Sequence, residues 1–294
     1  MNYGDRKATE ITEAIIKALE SVNSNDWKMP WTKLYIGSHR NAFSKRPYRG
    51  FNPLWLAYVA DQKGYTSTYW ATFNQWKKAG MKVKKDTKTT PICFWQVDKY
   101  TKTLKDGTEE ERSGFLFKVY NLVNASCVEG WEEPSVELNS IDILDNCEVT
   151  INATGANIQH GGDKACYVPS MDLVKLPNRD QFDTTKDYYA TAFHELVHWT
   201  GASHRLDRQF GQRFGDNAYA FEELVAELGA VMVCSAHGID SVSPPNHAQY
   251  IKHWIEVLKA DPKVLWTAGS KAQAAADYIT ESQEHGKENE QQAA

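Results

Sequence analysis

The sequence has no apolar run approaching the roughly 18–20 residues that a membrane helix requires, so a membrane-spanning role is not expected. Its N-terminus, MNYGDRKATE, carries charges of both signs and no apolar segment, which is unlike a secretory signal. Cysteine is scarce: five residues, at 93, 127, 147, 166 and 234, with no C-x-x-C pair and an odd total. That pattern argues against a disulfide framework; buried free thiols in a reducing cytoplasm are the expectation. Internal repeats are also lacking.

What is present is ordinary in bulk and uneven in distribution. Hydrophobic residues make up 41% and charged residues 24%, as in globular proteins, and 294 residues suffice for two domains with cores of their own. The net charge of −5 conceals a split. Residues 1–130 hold 21 Lys and Arg against 13 acidic residues; residues 131–294 hold 12 against 25. The basic half also carries 20 of the 35 aromatics, and basic residues interleaved with aromatics suit a polyanion such as nucleic acid. The charge shift near EGWEEPSVELNS sets the expected boundary: one domain over 1–130, a second over 131–282, and a disordered tail over 283–294.

Local patterns give an α+β fold class. Ile11, Ile15, Leu19 and Val22 form one helical stripe. A long loop, WKMPWTKLYIGSHRNAFSKRPYRG, follows, then a helix expected to be capped by Asn52, with Pro53 at its first position and Gly64 beyond its end. Thr72 and Gln75 have capping-box spacing. PICFWQV and GFLFKVYNLV read as paired strands around a charged tip. In the second half, ANIQHGGDKACYVPSMDLVKLP reads as extended segments around a Gly-Gly turn, and helices are expected over TTKDYYATAFHELVHWTG, DNAYAFEELVAELGAVMVCSAHG, NHAQYIKHWIEVLKAD and PKVLWTAGSKAQAAADYIT.

The chemistry sits in AFHELVHWTGASHRLDRQ. His194 and His198 are four apart on a helix, so both imidazoles lie on one face and can reach one ion, with Glu195 beside them as proton acceptor. A catalytic zinc site takes three protein ligands and keeps one position open. HELVHWTGASH also fits the metzincin spacing, which would make His204 the third ligand, but the only later Met, Met232, lies in an apolar helix rather than a turn. The alternative is EELVAELGA, where Glu223 and Glu227 are i and i+4 amid apolar neighbours. Glu223 is the favoured ligand, with Glu227 holding the far side of an imidazole or serving as an alternative ligand, like His204. Zn2+ is the expected ion, another divalent transition metal being compatible. CYVPSMDLVKLP could supply an edge strand that holds an extended peptide, and HRLDR could fix the loop behind the metal helix.

Through PYRGFNPLWL, YWATFNQWKKAGMKVKKDTKTTPICFW, HELVHWTGASHRLDR and YAFEELVAELGA the chain resembles the ArdC antirestriction proteins of conjugative plasmids. The resemblance implies an N-terminal single-stranded-DNA-binding domain, found also in plasmid primases, and a C-terminal zincin-like, SprT-like metallopeptidase domain. It implies a cytoplasmic protein of a recipient bacterium that protects incoming conjugative DNA from restriction and acts on a protein substrate, a restriction component being one candidate. SprT itself uses a His as third ligand, where this chain offers a Glu helix. For the DNA domain, bases stacked on aromatics and phosphates held by basic groups make Tyr48, Arg49, Trp70, Trp76, Lys77, Lys82, Lys84 and Lys85 the candidates, although each Trp or Tyr taken singly is better read as core packing and KVKKDTK equally as a solvated turn. The competing reading is a protein that only coats DNA and whose metal site is structural or vestigial.

Overall fold

The computed structural model of the chain describes residues 2–21, 39–103, 109–134, 140–208, 217–239 and 248–293. Asn2 opens the first helix, its side-chain oxygen accepting the Asp5 N–H (2.8 Å), and α1 runs Tyr3–Glu20. Ile11, Ile15 and Leu19 are buried along it as their spacing requires; Val22 lies outside the described residues.

Four strands form the sheet of the first half: β1 (Arg40–Asn41), β2 (Tyr69–Thr72), β4 (Thr90–Thr103) and β5 (Glu109–Asn124), in the order β1-β2-β5-β4. Only β1 and β2 are parallel. Strands β3 (Lys82–Val83) and β6 (Val128–Glu129) pair separately. Helix α2 (Asn52–Lys63) ends at Gly64, whose φ of 64° is the left-handed conformation glycine adopts without strain. Its start differs from expectation. Phe51, not Asn52, is the N-cap, because the Asn52 amide pairs instead with both backbone groups of Cys93 (3.0 and 3.1 Å) and so docks α2 on β4. The capping box of α3 (Phe73–Lys78) forms as its spacing predicts, Thr72 and Gln75 bonding reciprocally.

In the second half, β7 (Asn157–His160), β8 (Cys166–Val168) and β9 (Leu173–Leu176) make a sheet in the order β7-β9-β8. The segments flanking Gly161 and Gly162 are therefore not neighbours; β9 lies between them, parallel to β7 and antiparallel to β8. The helices of this half are α4 (Ser140–Ala153), which sequence patterning missed, and the expected α5 (Thr185–Thr200), α6 (Asn217–Ala236), α7 (Ala248–Ala260) and α8 (Val264–Ala293); α5 packs on β8 and β9. The α8 backbone runs through the segment expected to be disordered, which is rich in Glu, Gln, Lys and Ala, all good helix formers. None of the described helices is long and apolar enough to cross a membrane. The five cysteines are free; Cys93, Cys147 and Cys234 are buried, whereas Cys166 is exposed.

One buried cluster runs through both halves, from Ile11 and Ile15 of α1 and Leu54 of α2 to Trp254 of α7 and Ile279 of α8. Helix α1 packs on β5, β4 and α7. Thr12 donates to Pro262 O (2.9 Å), Phe51 meets Trp266 edge-on (5.6 Å), and Arg49 pairs with Asp277. Gly269 lets α8 approach closely: a Cβ there would lie 2.9 Å from the Phe51 backbone nitrogen.

Candidate metal centre

Thr184 caps α5 by accepting the Asp187 N–H (3.1 Å), and Ala192, Phe193, Leu196 and Val197 are buried around its axis. This phasing leaves His194 and His198 on the face towards α6, their rings one turn apart (centroids 4.9 Å). Close approach of the two helices depends on Gly229, where a Cβ would fall 2.8 Å from a Val197 methyl. The approach brings Glu223 between the imidazoles: its carboxylate oxygens lie 3.6 Å from His194 Nε2 and 3.5 Å from His198 Nε2. Among the described residues these three offer ligand atoms within 4.8 Å of one another. Two imidazole nitrogens and one carboxylate oxygen form a donor set of the kind that holds zinc and neighbouring transition ions.

The opposite ring nitrogens face two more carboxylates. His194 Nδ1 lies 3.7 Å from Glu227, and His198 Nδ1 lies 3.3 Å from Glu222. Glu222 was not anticipated from the sequence; its adjacency to Glu223 was visible, but the helix phase that sends it to the other side of His198 was not. Glu222 is in turn held by buried Arg208, from the HRLDR segment, through contacts of 2.8 and 3.1 Å.

This electrostatic setting keeps protons on the imidazoles and off Glu222 and Glu223. Burial alone would lower His198, but hydrogen bonds to Glu222 and Glu223 outweigh it and raise the group from 6.5 to about 9. His194 is likewise raised well above its ordinary value against burial, by Glu223 and Glu227. Burial would raise Glu223, yet its two imidazole partners hold it far below the usual carboxylate range.

Glu195 projects beside this cluster, buried, and accepts the backbone N–H of Tyr167 in β8 (2.8 Å). Tyr167 uses that N–H outward while β8 pairs with β9 on its other side, so among the described residues the edge strand of the sheet faces Glu195. His204 does not join the converging groups. After Gly201 the chain folds back (Arg208 N–H to Gly201 O, 2.9 Å), leaving the His204 side chain 61% exposed and 3.3 Å from Asp172. Asp172 also accepts Tyr167 Oη (2.8 Å) and Arg205 Nη1 (3.0 Å), and Arg205 holds its carboxyl down at about 2.

The residues expected to contact DNA are dispersed. Trp70 and Trp76 are fully buried and are withdrawn as stacking surfaces: their indole N–H groups donate to His39 Nδ1 (2.9 Å) and Val123 O (3.2 Å). Burial drives His39 down to about 3, consistent with a neutral acceptor. Tyr48 is half-buried, its hydroxyl donating to Trp70 O (3.2 Å), and Arg49 is engaged by Asp277. Lys77, Lys82, Lys84 and Lys85 are exposed; Lys82 pairs with Glu129 (3.1 Å) and Lys84 donates to Ser126 O (2.8 Å). The exposed aromatics of this half include Phe43, Phe73, Phe94 and Tyr120, none of which the sequence distinguished from core.

Comparison with known proteins agrees with both halves. The N-terminal domain of the anti-restriction factor ArdC matches residues 5–122, and a zincin-like metallopeptidase family matches residues 145–271. The uncharacterized protein y4eC of Sinorhizobium fredii is 35% identical, over 95% of this chain and 93% of its own. A DNA primase TraC of Escherichia coli is 32% identical over 92% of this chain, which spans 26% of that protein's length. The crystal structure of the antirestriction protein ArdC from plasmid R388 superposes with a TM-score of 0.77 in its metal-free form, covering 95% of this chain and 98% of that one at 30% identity. Its Mn(II)-bound form gives 0.72. The chain belongs to the ArdC family of antirestriction proteins, with an ArdC N-terminal domain followed by a zincin-like metallopeptidase domain.

Proposed function

We propose that the protein binds single-stranded DNA through its first 130 residues and cleaves peptide bonds at a divalent metal held by His194, His198 and Glu223 in the remainder, zinc being the expected ion. The observation that carries this reading is the convergence of those three ligating groups from α5 and α6, with Glu195 alongside. The relative's Mn(II)-bound form supports a divalent ion. When bound, such an ion supplies Lewis acidity and draws the pKa of a water towards neutrality. Glu195 would accept a proton at its carboxylate during hydrolysis and return it to the departing amine. Glu222 and Glu227 orient the two imidazoles from behind. As an edge strand, β8 could add an extended peptide, which would displace the Tyr167 contact of Glu195.

For DNA, the buried indoles shift the stacking role to exposed rings. Phe73 and Lys77 are i and i+4 on α3, so a ring for a base and a cation for a phosphate share one face. The protein substrate, whether a restriction component or another, acts in the bacterial cytoplasm under this proposal, alongside protection of transferred DNA. Glu195→Gln tests the peptidase role: metal content and DNA affinity are expected to persist while protection during plasmid transfer is lost. Full protection by that variant would instead favour a protein that works by coating the strand.

A further inference from the structure

We infer that Arg208 is a positioning residue for the metal site, acting through Glu222 to hold the His198 ring with its Nε2 turned to the side of Glu223, where a metal would be bound. The inference rests on the proposal that His198 is a metal ligand.

Arg208 and Glu222 form a buried ion pair in which neither side chain is more than 4% exposed. Such pairs contribute little net stability, since desolvation offsets their attraction. This one is stapled at three points. Arg208 Nε and Nη2 donate to Glu222 (3.1 and 2.8 Å), Nη1 donates to Thr200 Oγ1 (2.9 Å), and Nη2 also donates to Val197 O (2.5 Å). Thr200 and Val197 belong to the last turn of α5, the turn that carries His198. The guanidinium therefore locates the Glu222 carboxylate relative to the ligand helix itself. From that position Glu222 Oε1 stands 3.3 Å from His198 Nδ1. A carboxylate there holds the proton on Nδ1, so Nε2, the atom facing Glu223 (3.5 Å), is the nitrogen left to bind a metal.

A simpler role for the pair is to tie the Gly201–Arg208 turn to α6. The two roles separate by experiment on the full chain with Co(II) as probe, reading affinity by competition against a chromophoric chelator and ligand-field absorption for geometry. Arg208→Met and Glu222→Gln are each expected to weaken Co(II) binding by about 10–100-fold, the range for losing the group behind a ligating His. Each is also expected to lower the melting temperature of the metal-free protein, the Arg208 variant by stranding a buried carboxylate. Combining them removes both charges, so the metal-free melting temperature should recover while Co(II) affinity and absorption do not. Arg205→Met, which breaks another ion pair on the same turn, should leave affinity within about twofold. Recovery of affinity in the double variant, or an equal loss in Arg205→Met, overturns the inference alone. Wild-type protein that takes up no Co(II) overturns the metal reading and this inference together.

Discussion

His198 is held between Glu222 and Glu223, and its proton links the site to the stability of the fold. Its folded-state value of about 9 exceeds the ordinary 6.5, so between those values the folded chain binds more protons than the unfolded one. That contribution is fully present below about pH 6.5 and is lost as pH rises through about 9. The metal-free protein should therefore melt at lower temperature at pH 9 than at pH 6.5. Metal uptake displaces these protons, so apparent affinity should rise over the same window. A metal affinity that is flat with pH would contradict protonated imidazoles. The proposed third ligand has a separate test. Glu223→Gln should weaken metal binding by more than about 10-fold, whereas His204→Ala should leave it within about twofold. The sequence could not choose between them on spacing alone, because His204 satisfies a known ligand pattern. The turn that swings it out to Asp172 is a product of tertiary hydrogen bonds.

At the scale of elements, the spacing of α5 and α6 makes the site. Gly229→Ala would place a methyl 2.8 Å from Val197 Cγ2, so the helices must separate or Val197 must move. Overpacking of this kind costs about 1–3 kcal/mol. We expect a lowered melting temperature together with weakened metal binding; a neutral effect on both would mean the contact is readily relieved. Elements with strong local signals were legible: the Thr72 capping box, the helix over TTKDYYATAFHELVHWTG and the Ile11–Ile15–Leu19 stripe all appear in place. Pairing between elements was not. Asn52 looks like a cap in sequence, and only the approach of β4 turns its amide towards Cys93. Trp76 precedes two lysines and Trp70 shares its segment, so sequence alone left both open to either stacking or core packing; the fold encloses them. On α3, Phe73→Ala should weaken single-stranded-DNA binding by about 1–3 kcal/mol, the usual worth of a stacked base, with Lys77→Ala lowering the salt slope by about one. Trp76→Phe should instead reduce stability, because it leaves the Val123 carbonyl without its indole donor.

Across the whole molecule, the charge split between the halves coexists with a shared core. Ile11, Ile15 and Leu19 would lose the cover of α7 if residues 1–130 were expressed alone, so that fragment should be markedly less stable than the full chain and prone to associate. For this reason DNA binding is best measured on the full chain. Gly269→Ala, which crowds the Phe51 backbone, should destabilise both halves in one transition, followed by near-ultraviolet circular dichroism and tryptophan fluorescence. Separate transitions would show that the halves fold independently despite their contact.

Helical phase is short-range, so the sequence alone determined that His194 and His198 share one helix face with Glu195 beside them, and that a second helix bears acidic groups four apart. Family membership was legible for the same reason, since its motifs are contiguous strings. Which carboxylate meets the imidazoles, which arginine stands behind them and which aromatics remain in water are long-range outcomes. They depend on how closely helices and strands can pack, and that was settled by contacts such as Gly229 against Val197 and Gly269 against Phe51, between residues far apart in the chain.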